Sequence, residues 1–249
     1  MISNCGCSSP AFRGTPSDVI GNWQSTVSTS SGSVLFIGGI DAQGKSLFFA
    51  TDNNAFVGDT WELPTITAAS SFSGTSTLYA SLGAQLPSGG ASQTVSSRGT
   101  VVSGNSITLT NSNGSFTFIP ATPLTGPVKA FSGPMTGILN DGTDDGPFWG
   151  LVFTQASSGG SQSMSFTTSG PATCSVAGTF TQVGTSNIFD VSLTFSGGPD
   201  CSVPTGTPSI GLGFESDTDY FNANSGQAGT YLYADVLTSS GGAFVFEIY

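Results

Sequence analysis

The sequence predicts an all-β protein: two antiparallel β-barrel or β-sandwich halves joined by a Pro-rich linker. Three observations carry this. Runs of period two, apolar on one side and polar on the other, recur along the chain with Gly/Ser/Asn turns between them. Nowhere does an apolar stripe of helical period reach helical length. Three prolines fall within 120–127, where no interior strand tolerates them, so the chain divides there.

Taken in order, residues 1–17 read as a flexible tether rich in Ser, Gly and Pro. The first β domain is expected over 18–119. It opens at Gly21-Asn22-Trp23, ahead of a Ser/Thr run. Stretches 34–40 and 46–51 then make a hairpin around Asp41-Ala42-Gln43-Gly44, with Gly44 supplying a positive φ. Strands follow at 59–63, 76–81 and 93–102. Stretches 106–110 and 115–119 close the half as a hairpin on Asn111-Ser112-Asn113-Gly114, a strong turn signal.

The linker is placed at 120–130 and the second β domain at 131–249. Strands are expected at 135–139, 148–154, 163–168, 210–215, 219–222, 230–237 and 243–249. Between the third and fourth of these lies a hairpin bracketed by Cys174 and Cys201. In its second strand Phe189, Val191, Leu193 and Phe195 face one way, and Asp190, Ser192 and Thr194 the other. A cysteine beyond each end of a hairpin predicts a disulfide, Cys174 to Cys201, and with it an oxidising compartment. The halves look loosely alike. The Leu35–Asp41 stretch with Phe48-Phe49-Ala50 is similar to Leu212-Gly213-Phe214-Glu215 with Tyr220-Phe221, in a different element order.

Composition narrows function. Charged residues make up 8% of the chain and the net charge is −11, so Ser, Thr, Gly and Asn carry its solubility. The only cations are Arg13, Lys45, Arg98 and Lys129, too few to track phosphates, which excludes a nucleic-acid partner. An anionic membrane surface would repel the chain as well. No apolar run has the length of a transmembrane helix. An outer-membrane barrel is disfavoured because Glu247 sits where such a final strand wants an apolar residue. Met1–Asn4 is too short for a leader, so a mature form with its leader removed is expected. Cys5 lies where a bacterial lipoprotein carries its acylated cysteine, although Asn4 replaces the usual small residue. The alternative is a second disulfide through Cys5 and Cys7. Membrane attachment is expected only through such an anchor.

The chain contains no His, which removes the commonest general base and every Ser-His-Asp or Cys-His arrangement. Zinc is disfavoured for the same reason. No catalytic residue is assigned. Carboxylate-only glycoside hydrolysis remains conceivable through Asp59, Glu62, Asp190, Glu215 or Glu247, given two buried carboxyls about 5–10 Å apart. Solvated turn and strand positions are the plainer reading. No cofactor is implied, with calcium as the one exception. Asn140, Asp141, Asp144 and Asp145 gather oxygen ligands in a short loop, and Glu215-Ser216-Asp217-Thr218-Asp219 is a weaker second cluster. Turns use the same residues without any metal. Trp23, Trp61, Trp149, Tyr220, Tyr231, Tyr233 and Tyr249 could line a barrel mouth or a sugar-stacking face. Trp149, following the acidic loop, and Trp61 are the ligand-contact candidates, against core packing as the plainer fate.

Gly21-Asn22-Trp23 resembles the Gly-x-Trp that opens lipocalin- and streptavidin-type barrels, though the Arg that usually packs on that Trp has no counterpart here. The cysteine-bracketed hairpin with Gly178-Thr179 and Phe195, and the final Ala243-Phe244-Val245-Phe246 strand, resemble bacterial secreted and surface lipoproteins with Gly/Ser/Thr-rich β domains, most of them without an assigned activity. That resemblance implies an exported, surface-associated β protein and carries over no catalytic residue. The expectation is therefore a non-catalytic extracellular or cell-surface structural or adhesive protein, self-assembling through exposed strand edges. Its partners would be further copies of the chain or a surface glycan. The alternatives are a small-molecule or glycan-binding barrel and, behind it, the carboxylate glycosidase.

Overall fold

The computed structural model describes residues 19–29, 32–52, 55–67, 70–129, 131, 133–140, 148–158, 161–169, 174–197, 203, 205–221 and 229–249. These residues form sixteen strands and no helix. Strands β1 to β8 are Gly21–Thr29, Gly32–Ile40, Ser46–Asp52, Ala55–Glu62, Ser71–Tyr79, Ser92–Val102, Ser106–Asn111 and Gly114–Pro120. They close into one antiparallel up-and-down barrel. Strands β9 to β16 are Gly133–Asn140, Phe148–Ser158, Ser161–Ser169, Cys174–Gln182, Ile188–Gly197, Ser209–Ser216, Tyr231–Leu237 and Ala243–Ile248. They close into a second barrel, and the Pro-rich segment joins the two.

Turn chemistry sets the hairpins. Between β2 and β3, Asp41 Oδ1 accepts the N–H groups of Gln43 and Lys45, each at 2.8 Å. Gly44 there takes φ +78°, as the sequence predicts. Asn111 pairs with Gly114 across a two-residue loop, tighter than the four residues assigned from sequence. The cysteine-bracketed hairpin forms as β12 and β13, with Gly184 at φ +59° in its turn and Cys174 opposite Gly197 at its open end. Along β13, Phe189, Val191, Leu193 and Phe195 are buried, while Asp190 is exposed and Ser192 and Thr194 are half-buried.

One expectation is corrected. Residues 219–221 form a bend instead of a strand. The Tyr220 N–H donates to the Tyr233 hydroxyl at 2.9 Å, and the Phe221 N–H donates to Asp219 Oδ1, so side chains satisfy this backbone where a ladder would. Closure gives every described strand a neighbour on both sides, but along parts of their length only: β1 pairs with β8 at Trp23 and Gln24, and β5 with β4 at Thr77 to Tyr79.

The two seams differ. The first barrel closes through only two residue pairs of β1 and β8, Trp23–Pro120 and Gln24–Ile119, with Ala121 N–H donating to the Asn22 carbonyl. Pro120 falls at a position of this ladder whose N–H would point away from β1, so the proline is tolerated and the bonding continues at Ala121. The second closes through four pairs of β16 and β9, extended by reciprocal 3.0 Å bonds between Thr136 and Tyr249.

Each barrel has its own core. Phe153, Phe180, Phe189, Phe195, Phe244 and Phe246 fill the second, and Trp23, Phe48, Trp61, Phe72 and Phe118 fill the first. A third apolar cluster joins the outer faces of the two. Ile37 and Phe49 of the first barrel meet Ile188, Phe214, Tyr231, Tyr233 and Val245 of the second. Phe49 sits 5.9 Å from Phe214 and 5.8 Å from Tyr233, ring centre to ring centre. At Gly39 a Cβ would come within 2.7 Å of the Ile188 side chain, so the missing side chain lets the barrels approach. Strands β14, β15 and β16 are consequently buried on both faces. The two stretches that look alike in sequence face each other across this contact, β2 and β3 against β14, and do not hold equivalent places in their barrels.

Candidate functional site

Three places concentrate polar or aromatic side chains: the contact between the barrels, the linker end of the second barrel, and the mouth of the first.

At the contact, strand alternation sends Tyr231, Tyr233 and Asp235 of β15 towards the first barrel, with Val245 and Glu247 of β16 beside them. Thr60 of β4 donates its hydroxyl to Asp235 Oδ1 at 2.7 Å, across the interface. Asp235 is completely buried and its Oδ2 has no partner, and burial pushes its carboxyl up to about 7. Glu247 Oε1 accepts the Tyr233 hydroxyl at 3.1 Å, and burial pushes that carboxyl up to about 8, with Asp219 adding to the rise.

At the linker end, Glu215 shares the inward face of its strand with Leu232 and Ile248. Its Oε2 accepts the Lys129 N–H at 2.8 Å, its Oε1 has no partner, and burial pushes it up to about 7. Asp217 accepts the Thr125 N–H at 2.6 Å and the Thr230 hydroxyl at 3.2 Å, and the first of these bonds holds its carboxyl below the usual range. Glu215 and Asp217 fasten the linker, while Asp219 caps the bend at Phe221.

The five carboxylates considered for hydrolysis are dispersed. Glu215 and Glu247 lie on opposite faces of one sheet. Glu62 accepts the Tyr79 hydroxyl at 2.8 Å, which together with burial pushes the phenol up to about 12. Burial raises Asp59, and partial desolvation at the surface together with the nearby Asp41 charge raises Asp190.

At the mouth of the first barrel, Phe36, Trp61, Leu78, Val95 and Phe116 enclose a notch of about 100 Å³, with Gln93 and Asn113 also in its lining. Register builds it. Trp61 pairs with Leu78, and Leu78 with Gln93, so three adjacent strands contribute at one level. The rings are set on edge. Trp61 and Phe116 lie 4.5 Å apart at 83°, and Trp61 and Phe36 lie 5.6 Å apart at 60°. Deeper in the barrel, Ser76 donates to Ser97 at 2.7 Å and Asn111 reaches Ser97 at 3.4 Å, a small polar group that satisfies itself.

Trp61 is thus both a core residue, 5% exposed, and one wall of the notch. Trp149 lies in β10 opposite Gly137. Tyr231 and Tyr233 lie in the contact between the barrels, not at a mouth. Cys5, Cys7, Cys201, Asp141, Asp144 and Asp145 lie outside the described residues, as do the side chains of Cys174 and Asn140. Among the described residues no three metal-ligating side chains cluster. Sequence reasoning missed Phe36 and Phe116. Their inward phase was readable in the alternation of β2 and β8, but their meeting at Trp61 depends on barrel closure. Comparison with protein-family models, curated proteins and solved structures finds no match.

Proposed function

We infer that the chain is a non-catalytic, exported cell-surface β protein that serves as an adhesive or structural scaffold. The observation that carries this is the shared aromatic core between two closed barrels, which makes one stiff unit from two. Away from that contact the first barrel presents hydroxyls. Ser71, Ser73 and Thr75 of β5 and Thr94, Ser96 and Thr100 of β6 are exposed on one outer face. Such a face offers many neutral donors and acceptors around one cation, the exposed Arg98 opposite Ser73, which suits broad contact with carbohydrate or with another copy of itself. Association would use such faces.

Export rests on the disulfide that the sequence predicts between Cys174 and Cys201. The test is intact mass of native-host protein with and without reduction, together with light scattering over a concentration series and pull-down on insoluble polysaccharides. A two-hydrogen shift with assembly or retention on a polysaccharide is expected. A reduced Cys174 in native material overturns export. Monomers that bind no surface overturn the scaffold.

A second reading, a ligand- or glycan-binding barrel, is favoured by one specific observation: the aromatic notch at the first barrel's mouth.

A further inference from the structure

We propose that the notch at the mouth of the first barrel binds the acetamido group of a neutral N-acetylhexosamine. This rests on the glycan-binding reading and names its sugar class.

Size comes first. A notch of about 100 Å³ holds on the order of three water molecules. A whole pyranose does not fit, but the methyl, carbonyl and N–H of an acetamido substituent do. Shape agrees. Phe36 and Phe116 stand edge-on to Trp61, so the three rings form a recess, and the 5%-exposed indole offers no platform for stacking a flat sugar face. A methyl group seated among ring faces and the Leu78 and Val95 side chains gains apolar burial there.

Polarity then selects the group behind the methyl. Gln93 and Asn113 are exposed primary amides in the lining, and each offers both donors and an acceptor. That pair complements the N–H and C=O of an acetamide, which a plain hydroxyl of glucose would not satisfy as fully. Every lining residue is uncharged, and the chain carries −11 overall, which disfavours uronic and sialic acids and leaves the neutral amino sugars. The Ser76–Ser97–Asn111 group beneath is already hydrogen-bonded and demands nothing of a ligand.

The experiment uses the full chain, titrated with the methyl glycosides of N-acetylglucosamine, N-acetylgalactosamine and glucose. Binding is read by calorimetry and by the fluorescence change of Trp61 against a Trp61→Phe control. Millimolar affinity for the acetamido sugars, at least tenfold tighter than for glucose, is expected. Val95→Phe, which fills the notch, should abolish binding. Gln93→Ala, at an exposed position where folding is not at stake, should weaken it several-fold with the urea midpoint unchanged. Equal affinity for glucose overturns the acetamido assignment. Acetamido-sugar binding undiminished in both variants overturns the site but leaves glycan binding standing. No saturable binding by folded protein overturns both, as does binding of an N-acetylated peptide without the sugars.

Discussion

The second barrel is filled by rings and closed by a long ladder, whereas the first is closed by two residue pairs and keeps hydroxyls, amides and a notch inside. The same eight-strand meander is thus spent in two ways. Dense packing in one barrel, together with the aromatic contact between them, holds the other in shape. The other can then tolerate an imperfect interior, and imperfect packing is what a binding mouth requires.

The largest test of that contrast is a pair of truncations. Phe246→Ala removes a fully buried ring from the second barrel and should cost about 3–5 kcal/mol. Phe116→Ala removes a half-buried ring that already borders open space, so fewer contacts are lost, and about 1–2 kcal/mol is expected. Urea midpoints decide it. Equal losses would show that the notch is as tightly specified as the core.

Next in size is pH. Asp235 and Glu247 in the contact and Glu215 at the linker end are raised by burial to about 7, 8 and 7. Their unfolded values lie near 4. Between those limits the folded chain holds more protons than the unfolded one, so stability falls as pH rises from about 4 towards 8. A loss of a few kcal/mol over that window is expected from urea titrations at several pH values. Asp235→Asn should flatten the curve and make the protein more stable than the parent at pH 8. A stability that rises across this window would contradict the burial of these carboxyls.

A smaller effect tests the Thr60–Asp235 bond itself. Thr60→Val leaves Asp235 without its donor and should cost about 1–3 kcal/mol. Replacing both partners, Thr60→Val with Asp235→Leu, should cost less than the single change and remove that residue's share of the pH dependence. If the double variant were worse than the single, the bond would be holding the barrels together and not merely satisfying a buried carboxyl.

Much of this fold can be read locally. Turn residues such as Asp41 and Gly44, and alternation such as Phe189 to Phe195, act over a few neighbours, and there prediction and structure coincide. The barrel contact is different. Leu47-Phe48-Phe49-Ala50 is a continuous apolar run, the mark of a strand buried on both faces, but nothing nearby in sequence states what covers its outer side. Tyr220-Phe221 read as a strand because aromatics favour sheets. The bond to the Tyr233 hydroxyl, thirteen residues away, decided otherwise. Trp61 was legible as a ligand candidate, whereas the notch needs Phe36 and Phe116 brought from strands far apart in the chain.

The finest test concerns the two seams. At β1–β8 the ladder holds two residue pairs, and the Ala121 N–H to Asn22 carbonyl bond extends it by one step past Pro120. At β16–β9 four consecutive pairs and the Thr136–Tyr249 bonds share the load. Local opening needs fewer hydrogen bonds broken at the first seam, so its amides should open at lower free energy. A difference of one net hydrogen bond, about 1.4 kcal/mol at the upper end of its usual worth, corresponds to roughly tenfold in exchange. Native-state hydrogen exchange should therefore find the Gln24, Ile119 and Ala121 amides at least tenfold less protected than those of Glu247 and Ile138, which bond across the second seam. Equal protection would mean that the contact between the barrels, and not each seam's own ladder, sets the opening of both.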